Sequence, residues 1–320
     1  MNKTKKNLLV TGGSGFIGIN LLKALTKLKK YKITATYFSS KNFYRVKNVK
    51  YIKANLEEKK SCLKVTKNID LIVMCAANSS GAAVMEKTPL VHLTPNIRMN
   101  LNMLEAAHLH SVNKFIFISS NTVYPVSDFA MKEGDAQFNF FEKYHIVGWM
   151  KRFSEVVCEI YAKRIGKKMK TIIIRPGNLY GPHDKFDPKK SKVIPSLISK
   201  VSARQNPINV WGDGKDLKDF LYIKDFCDVV LKIINRAKNF ETYNIASGRS
   251  VTIRKILKIL IKIEKLKKSN IYYDSSKPTM IPKRLINISK IKKQFNFKPS
   301  ISLEKGLAQT IRWYKNERNL

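Results

Sequence analysis

Acidic residues are scarce in this sequence: 23 Asp and Glu stand against 61 Lys and Arg, a formal net charge of +38 over 320 residues. Such a balance raises the question of a polyanionic partner, nucleic acid or an anionic membrane surface. The basic residues, however, are scattered through nearly every helical stretch, as in KALTKLKKYK and IRKILKILIKIEKLKK, with no detached basic tail or nucleic-acid module. They read as solvated faces, and no nucleic-acid partner is expected, although the second stretch has the pattern of a basic amphipathic surface helix. A positive field also favours a small diphosphate ligand. Long apolar runs are missing: none approaches the ~18 residues a membrane span needs. The opening MNKTKKNLLVTGG passes from lysines into a strand with neither an apolar targeting stretch nor a cleavage site, so a cytoplasmic location is expected. Only four cysteines occur, Cys62, Cys75, Cys158 and Cys227, with no C-x-x-C. That excludes a disulfide framework and suits buried thiols in a reducing compartment; no metal site is expected. Pro/Gly/Ser-rich linkers and internal repeats are absent too, which argues against separate beads or a solenoid.

What is present is alternation. NLLVT, ITATY, VKYIKA, LIVMCAA, FIFISS and TIIIRP read as buried parallel strands. Between them lie helical patterns: FIGINLLKALTKL, LEEKKSCLKVT, NIRMNLNMLEAAHLH and GWMKRFSEVVCEIYAKRIG. This is an α/β chain with a doubly wound parallel sheet and right-handed crossovers. After RPGNLYGPHDKFDP the rhythm loosens into a helix around KVIPSLISKVSARQ, a strand INVWG, a helix from Ile223, a strand TYNIAS, and helices near 253–267 and 303–315. Residues 1–176 are expected to form mainly a Rossmann-type dinucleotide domain and 177–320 mainly a smaller interwoven substrate lobe, the chain crossing back between them.

Gly12, Gly15 and Gly18 stand directly between the first strand and the first helix in LLVTGGSGFIGINLL. Glycine is needed there for a tight turn, for close backbone approach to a pyrophosphate, and for helix-on-strand packing. The helix N-terminus adds unpaired N–H groups and a positive dipole end. Ser14, Phe16 and Ile17 belong to the same turn. The second strand ends TATYFSSKNFYR without an acidic residue to hold a ribose 2′-hydroxyl. Ser39, Ser40, Lys41 and Arg45 suit a 2′-phosphate instead, so NADP is favoured over NAD.

The G-x-x-G-x-x-G spacing resembles that of the extended short-chain dehydrogenases/reductases, the NAD(P)-dependent nucleotide-sugar epimerases and dehydratases. FIFISSNTVYP resembles their Ser-Ser-x-x-Val-Tyr strand end, which implies a catalytic Ser120 with Thr122 facing the site. NIRMNLNMLEAA is similar to their Asn-x-x-x-x-x-Asn helix, at Asn96 and Asn102. Asn55-Leu56 stands where Asp-Leu usually lies near the adenine, and Ala76 and Ala77 follow the fourth strand. The stretch RPGNLYGPHDKFDPKKSKVIPSLI, with AANSSGAAVMEKTPL, WGDGKDLKDFLYIKDF and SLEKGLAQTIRWY, resembles the GDP-L-fucose synthases in particular. The resemblance implies cofactor contacts at Pro176 and Lys151. For a nucleotide-diphosphate sugar it implies Asn178, His183, Lys192, Val193, Trp211, Lys218 and Lys283, with Arg284 beside the last. A homodimer is usual in such proteins.

One position departs sharply. The family pattern Tyr-Gly-x-Ser-Lys-x-x-x-Glu appears here as Val147-Gly148-Trp149-Met150-Lys151-Arg152-Phe153-Ser154-Glu155. Gly148, Lys151 and Glu155 fix the register, so the tyrosine is replaced and not shifted. The fucose synthases' cysteine and histidine are also replaced, by Thr122 and Lys192. A positioned acid–base group is worth about 10²–10⁴-fold in rate, so valine is not a silent change. Tyr144 is the substitute the sequence offers. On a continuous helix it would lie ~10 Å from Lys151 along the axis instead of ~6 Å, but as part of an entering loop it could fold back over the nicotinamide. Two functions follow: an epimerase, dehydratase or 4-keto-sugar reductase with an atypical proton relay, or an inactive cofactor- and sugar-nucleotide-binding homologue serving as regulator or subunit.

Overall fold

A computed structural model describes residues 5–40, 42–79, 88–188, 190–237, 239–266, 268–277 and 280–319. The first half supplies six parallel strands, β1 (Lys6–Thr11), β2 (Tyr31–Tyr37), β3 (Lys50–Lys53), β4 (Leu71–Met74), β5 (Lys114–Ile118) and β6 (Lys170–Pro176). Three short strands follow, β7 (Asn178–Tyr180), β8 (Ile208–Trp211) and β9 (Leu217–Tyr222). Then β10 (Glu241–Ile245) returns to pair in parallel with β6, completing a seven-stranded sheet of order β10-β6-β5-β4-β1-β2-β3. The order reverses between β1 and β4, and this switch point opens the crevice where such sheets take ligands.

Successive strand residues face opposite sides, which is why the strands are nearly continuous apolar runs. Leu8, Val10, Ile116, Ile118, Ile172 and Ile174 pack beneath α1 (Phe16–Thr26) and, after α2 to α5, beneath α6 (Ile223–Arg236). Leu9, Ile72, Met74, Phe115, Phe117 and Ile173 pack beneath α2 (Lys59–Thr66), α3 (Leu90–Leu109) and α4 (His145–Lys163). Each such fully buried side chain contributes about 1.5–3 kcal/mol. Helix α3 begins at Leu90, ahead of the NIRMNLNMLEAAHLH pattern, and carries Pro95 inside. Pro95 sits in the second turn, where one missing N–H removes a single helical bond.

The smaller lobe gathers α5 (Val193–Ser202), α7 (Ile253–Ile263) and, after α8 (Ser289–Phe295), α9 (Leu303–Arg318) around a third apolar cluster. Its strands form a three-stranded sheet, β11 (Ser250–Thr252)-β9-β7, and a parallel pair of β8 with β12 (Ile271–Asp274). In α7 the apolar face of Ile253, Ile256, Leu257 and Leu260 is buried and the lysines face outward. Among the described residues, no helix is long and apolar enough to cross a membrane, and no His/Cys/Asp/Glu cluster suited to a metal ion occurs.

Candidate active site

The turn after β1 is shaped around its glycines. Gly12 has φ +66°, and a Cβ on it would come within 2.8 Å of the Ala76 backbone, at the end of β4. A Cβ on Gly18 would overlap the Gly12 carbonyl. Gly13 donates to the Thr36 carbonyl at 2.7 Å and Gly12 to Thr36 Oγ1 at 3.3 Å, which pins the turn to β2. Helix α1 starts from Gly15 with no side-chain cap and no acidic residue in its first turn. The N–H groups of Phe16, Ile17 and Gly18 therefore face the crevice with acceptors the helix cannot supply. Ser14 lies half-buried in the same turn. The cradle fits a dinucleotide pyrophosphate by shape and by donor set, and NAD(P) held by it would supply or take up a hydride through its nicotinamide ring.

The expected cofactor residues divide by what they touch. Ala76 donates its N–H to Thr11 Oγ1 at 3.1 Å, and Ala77 beside it is exposed at the crevice edge. Asn96, 1 % exposed, accepts from the Asn78 N–H at 2.8 Å and donates to the Asn78 carbonyl at 3.0 Å. It holds the loop after β4. Asn55 closes the turn before α2, accepting from the Glu57 N–H and donating to the Glu58 carboxylate, while Leu56 is core. Ser39 is exposed beyond β2, and Lys41 lies outside the described residues, as do 80–87 of the AANSSGAAVMEKTPL stretch. Arg45 stacks over the rings of Tyr37, Phe43 and Tyr51 at 5.4, 5.0 and 5.3 Å. Pro176 ends β6, and its carbonyl accepts from Asn121 Nδ2.

The corner where the expected catalytic residues Ser120, Thr122 and Lys151 stand is built by β5, the turn after it, and α4. Ser120 accepts from the Thr122 N–H at 3.1 Å and so caps a short 3₁₀ turn over Asn121–Val123. Thr122 is buried, and its Oγ1 has no hydrogen-bond partner among the described residues. Gly148 lets α4 pack on this turn, because a Cβ would meet the Thr122 carbonyl and the Phe140 ring at 2.8 Å. Three residues on, Lys151 is 9 % exposed; its Nζ donates to the Ile118 carbonyl at 2.9 Å and lies 4.8 Å from the Phe117 ring centroid. Burial pushes its pKa down to about 8, although the Glu155 carboxylate and the Cys75 and Cys158 thiols pull it upward.

Tyr144 sits immediately before α4, at the end of a 3₁₀ turn over Glu142–Tyr144. The charged groups around its phenol are Arg284 and Asp216, and burial raises its pKa to about 12. The charged and thiol groups that act on Lys151 are different ones, Glu155, Cys75 and Cys158. Arg284 is 2 % exposed and donates to the Pro125 and Tyr124 carbonyls at 2.8 and 3.1 Å, with Nε buried and unpartnered. Lys283 turns the other way, to a surface ion pair with Asp128 at 2.8 Å. Of that pair, the arginine is the one directed inward. Lys218 pairs with Asp216 at 3.1 Å beside it.

The other substrate-side residues are spread along the lobe boundary. Asn178 donates to the Asp219 carbonyl at 2.9 Å. His183, with φ +67°, sits between Lys23 of α1 at 3.3 Å, the Tyr44 ring and the Trp313 ring. Burial, then Lys23, lowers its pKa to about 4, so it is neutral at pH 7. Lys192 is the exposed residue before α5, and Val193 is the first of that helix. Trp211 is 44 % exposed at the end of β8.

Sequence reasoning passed over a polar network beneath the Ser120–Lys151 corner. Glu155 accepts from Ser119 Oγ at 2.5 Å and from Arg175 through Nε at 2.9 Å and Nη2 at 2.7 Å. Arg175 Nη1 donates to the Tyr124 hydroxyl, which donates to Asn244 Oδ1 at 2.6 Å. Ser119 and Tyr124 stand in FIFISSNTVYP, Glu155 one helical turn after Lys151, and Arg175 in RPGNLYG, and nothing local in the sequence joins them.

A model of the NAD dependent epimerase/dehydratase family matches residues 8–246. The dTDP-4-dehydro-6-deoxy-D-allose reductase of Streptomyces bikiniensis is 25% identical over 97% of each chain. The GDP-L-fucose synthase of Escherichia coli is 28% identical over 78% of this chain and 81% of its own. Among solved structures, the UDP-glucuronic acid 4-epimerase of Bacillus cereus, in complex with UDP-glucuronic acid and NAD, superimposes with a TM-score of 0.85 at 25% identity, covering 97% of this chain and 99% of that one. Glycine cradle, switch-point crevice and serine–lysine corner all lie within the matched residues, and the chain belongs to the NAD dependent epimerase/dehydratase family.

Proposed function

We propose that the protein is an NAD(P)-dependent enzyme acting at C4 of a nucleotide-diphosphate sugar, as an epimerase, dehydratase or 4-keto-sugar reductase, and that Lys151 carries the proton the missing tyrosine would have carried. The observation behind this reading is the lysine itself: buried, held on the Ile118 carbonyl two residues before Ser120, with a pKa of about 8. An amine titrating near neutrality is suited to acid–base work at physiological pH. Lys151 Nζ exchanges the proton with the sugar oxygen, and the hydroxyls of Ser120 and Thr122 orient that oxygen. Thr122 Oγ1, buried and unpartnered, is free for this contact. Arg284, Lys218 and Asn178 are the groups that would meet the diphosphate, with Tyr144 near Arg284 and near Asp216, the ion-pair partner of Lys218.

Ser39 and Arg45, with no carboxylate between 37 and 45, support NADP over NAD. A homodimer would use the outer face of α4, where Trp149 and Ile160 are each 41 % exposed and eleven residues apart on one stripe. Val147 favours a second reading, a binding homologue without turnover. The test for both is one experiment. The purified chain is titrated with NADP and NAD, then incubated with UDP-, GDP-, dTDP- and CDP-sugars while cofactor redox state and sugar products are followed. Turnover supports the enzyme, binding without turnover supports the second reading, and absence of nicotinamide binding overturns both.

A further inference from the structure

Both ends of the turn that bears Ser120 and Thr122 run into one buried ion pair. At its start, Ser119 Oγ donates to Glu155 Oε1 at 2.5 Å; at its end, the Tyr124 hydroxyl accepts from Arg175 Nη1 at 2.9 Å. Arg175 and Glu155 meet side-on through two parallel bonds, and they are 3 % and 0 % exposed. Glu155 lies one helical turn after Lys151 on α4, and Arg175 precedes Pro176 on β6. A buried pair of this kind is weak as a source of stability, since apolar residues of similar volume often serve as well. It is strong as a spacer: both side chains are fixed, Glu155 also by Arg152 at 3.4 Å and Arg175 also by the Glu133 carbonyl at 2.7 Å. Each has a further bond to one end of the Ser119–Tyr124 turn.

We propose that Glu155 and Arg175 are a positioning pair that fixes the Ser120 turn against the helix bearing Lys151. This rests on the reading of Ser120 and Lys151 as the reacting residues; the pair itself touches neither substrate nor cofactor. Glu155 also acts on Lys151 through charge. The other groups facing Lys151 are the Cys75 thiol beyond β4, the Cys158 thiol of α4, and the Ile118 carbonyl and Phe117 ring of β5.

Hydrogen exchange and lysine titration test this on the cofactor-free chain. The double variant Ser119→Ala/Tyr124→Phe detaches both ends of the turn and leaves the ion pair whole, with Arg175 Nη1 still bonded to the Glu133 carbonyl. Amides of residues 119–124 should then exchange about tenfold faster or more, with those of β5 and α4 unchanged. Glu155→Gln removes the largest upward influence on Lys151, so the NMR titration midpoint of the ¹³C-dimethylated lysine should fall. Unchanged exchange in 119–124, exchange that rises uniformly through the chain, or a Lys151 midpoint indifferent to Glu155→Gln would each overturn the proposal. If Glu155→Gln does not fold, the double variant decides alone. Failure of the grip leaves the enzyme reading standing, and failure of every sugar to react leaves the grip measurable.

Discussion

Replacing Lys151 by Met gives the sharpest check on the reacting corner. The ammonium is 9 % exposed, and its pKa stands at about 8 against an ordinary 10.5. Between those values the unfolded chain holds a proton that the folded chain has released. Unfolding free energy therefore rises with pH across this window. Below pH 8 both states are protonated and the burial cost is fully present; above 10.5 both are neutral and the cost is gone. From pH 7 to pH 10 the gain attributable to Lys151 is about 2–3 kcal/mol, at ~1.36 kcal/mol per pKa unit. Burial holds tyrosines such as Tyr124 and Tyr144 well above their ordinary value of 10, so they lower stability as pH approaches 10 and confuse the wild-type curve alone; the quantity to measure is the difference. Lys151→Met has no charge to bury. It should be more stable than wild type at pH 7, and the two should converge as pH rises to 10, as read by urea denaturation at both pH values. A stability difference independent of pH would show that the lysine is solvated in the folded protein, and the proton-carrier role would lose its basis.

If Lys151 carries the proton, turnover follows its titration. Reduction of a 4-keto sugar should fall above a midpoint near pH 8, and oxidation of a C4 hydroxyl should rise through it, both visible in kcat–pH profiles. Tyr144→Phe should leave that limb in place and change kcat only a few-fold; a loss of about 10²–10⁴-fold would return the relay to Tyr144. Gly12→Ala forces a side chain into φ +66° and against the Ala76 backbone, a cost of about 1–3 kcal/mol, with at least about tenfold weaker NADP binding expected by calorimetry. Asp219, 1 % exposed, accepts from the N–H groups of Ser247, Gly248 and Arg249. Asp219→Ala should destabilise by roughly 2–4 kcal/mol in thermal or urea unfolding, since hydrogen bonds to a charged group carry about 1.5–3 kcal/mol each before relaxation.

The first six strands of the sheet and the glycine turn are legible in the sequence, whereas the return of β10 to pair with β6 is not. Buried strands such as LLVT and LIVM, and the spacing of Gly12, Gly15 and Gly18, are local signals, because strand burial and turn geometry act over a few residues. The sequence also set Val147, Gly148, Lys151 and Glu155 in one helical register, since all four lie on α4. Tertiary structure alone decided the rest, because those features join residues far apart in the chain. It turned Lys283 to the surface and Arg284 inward, two adjacent residues that composition treats alike. It set Tyr144 among Arg284 and Asp216, a neighbourhood that α4's spacing cannot show. It also closed Ser119, Glu155, Arg175 and Tyr124 into one network from three separate elements. The lysine's lowered proton affinity belongs to this second class: it comes from burial beneath β4 and β5, and burial is a property of the folded chain.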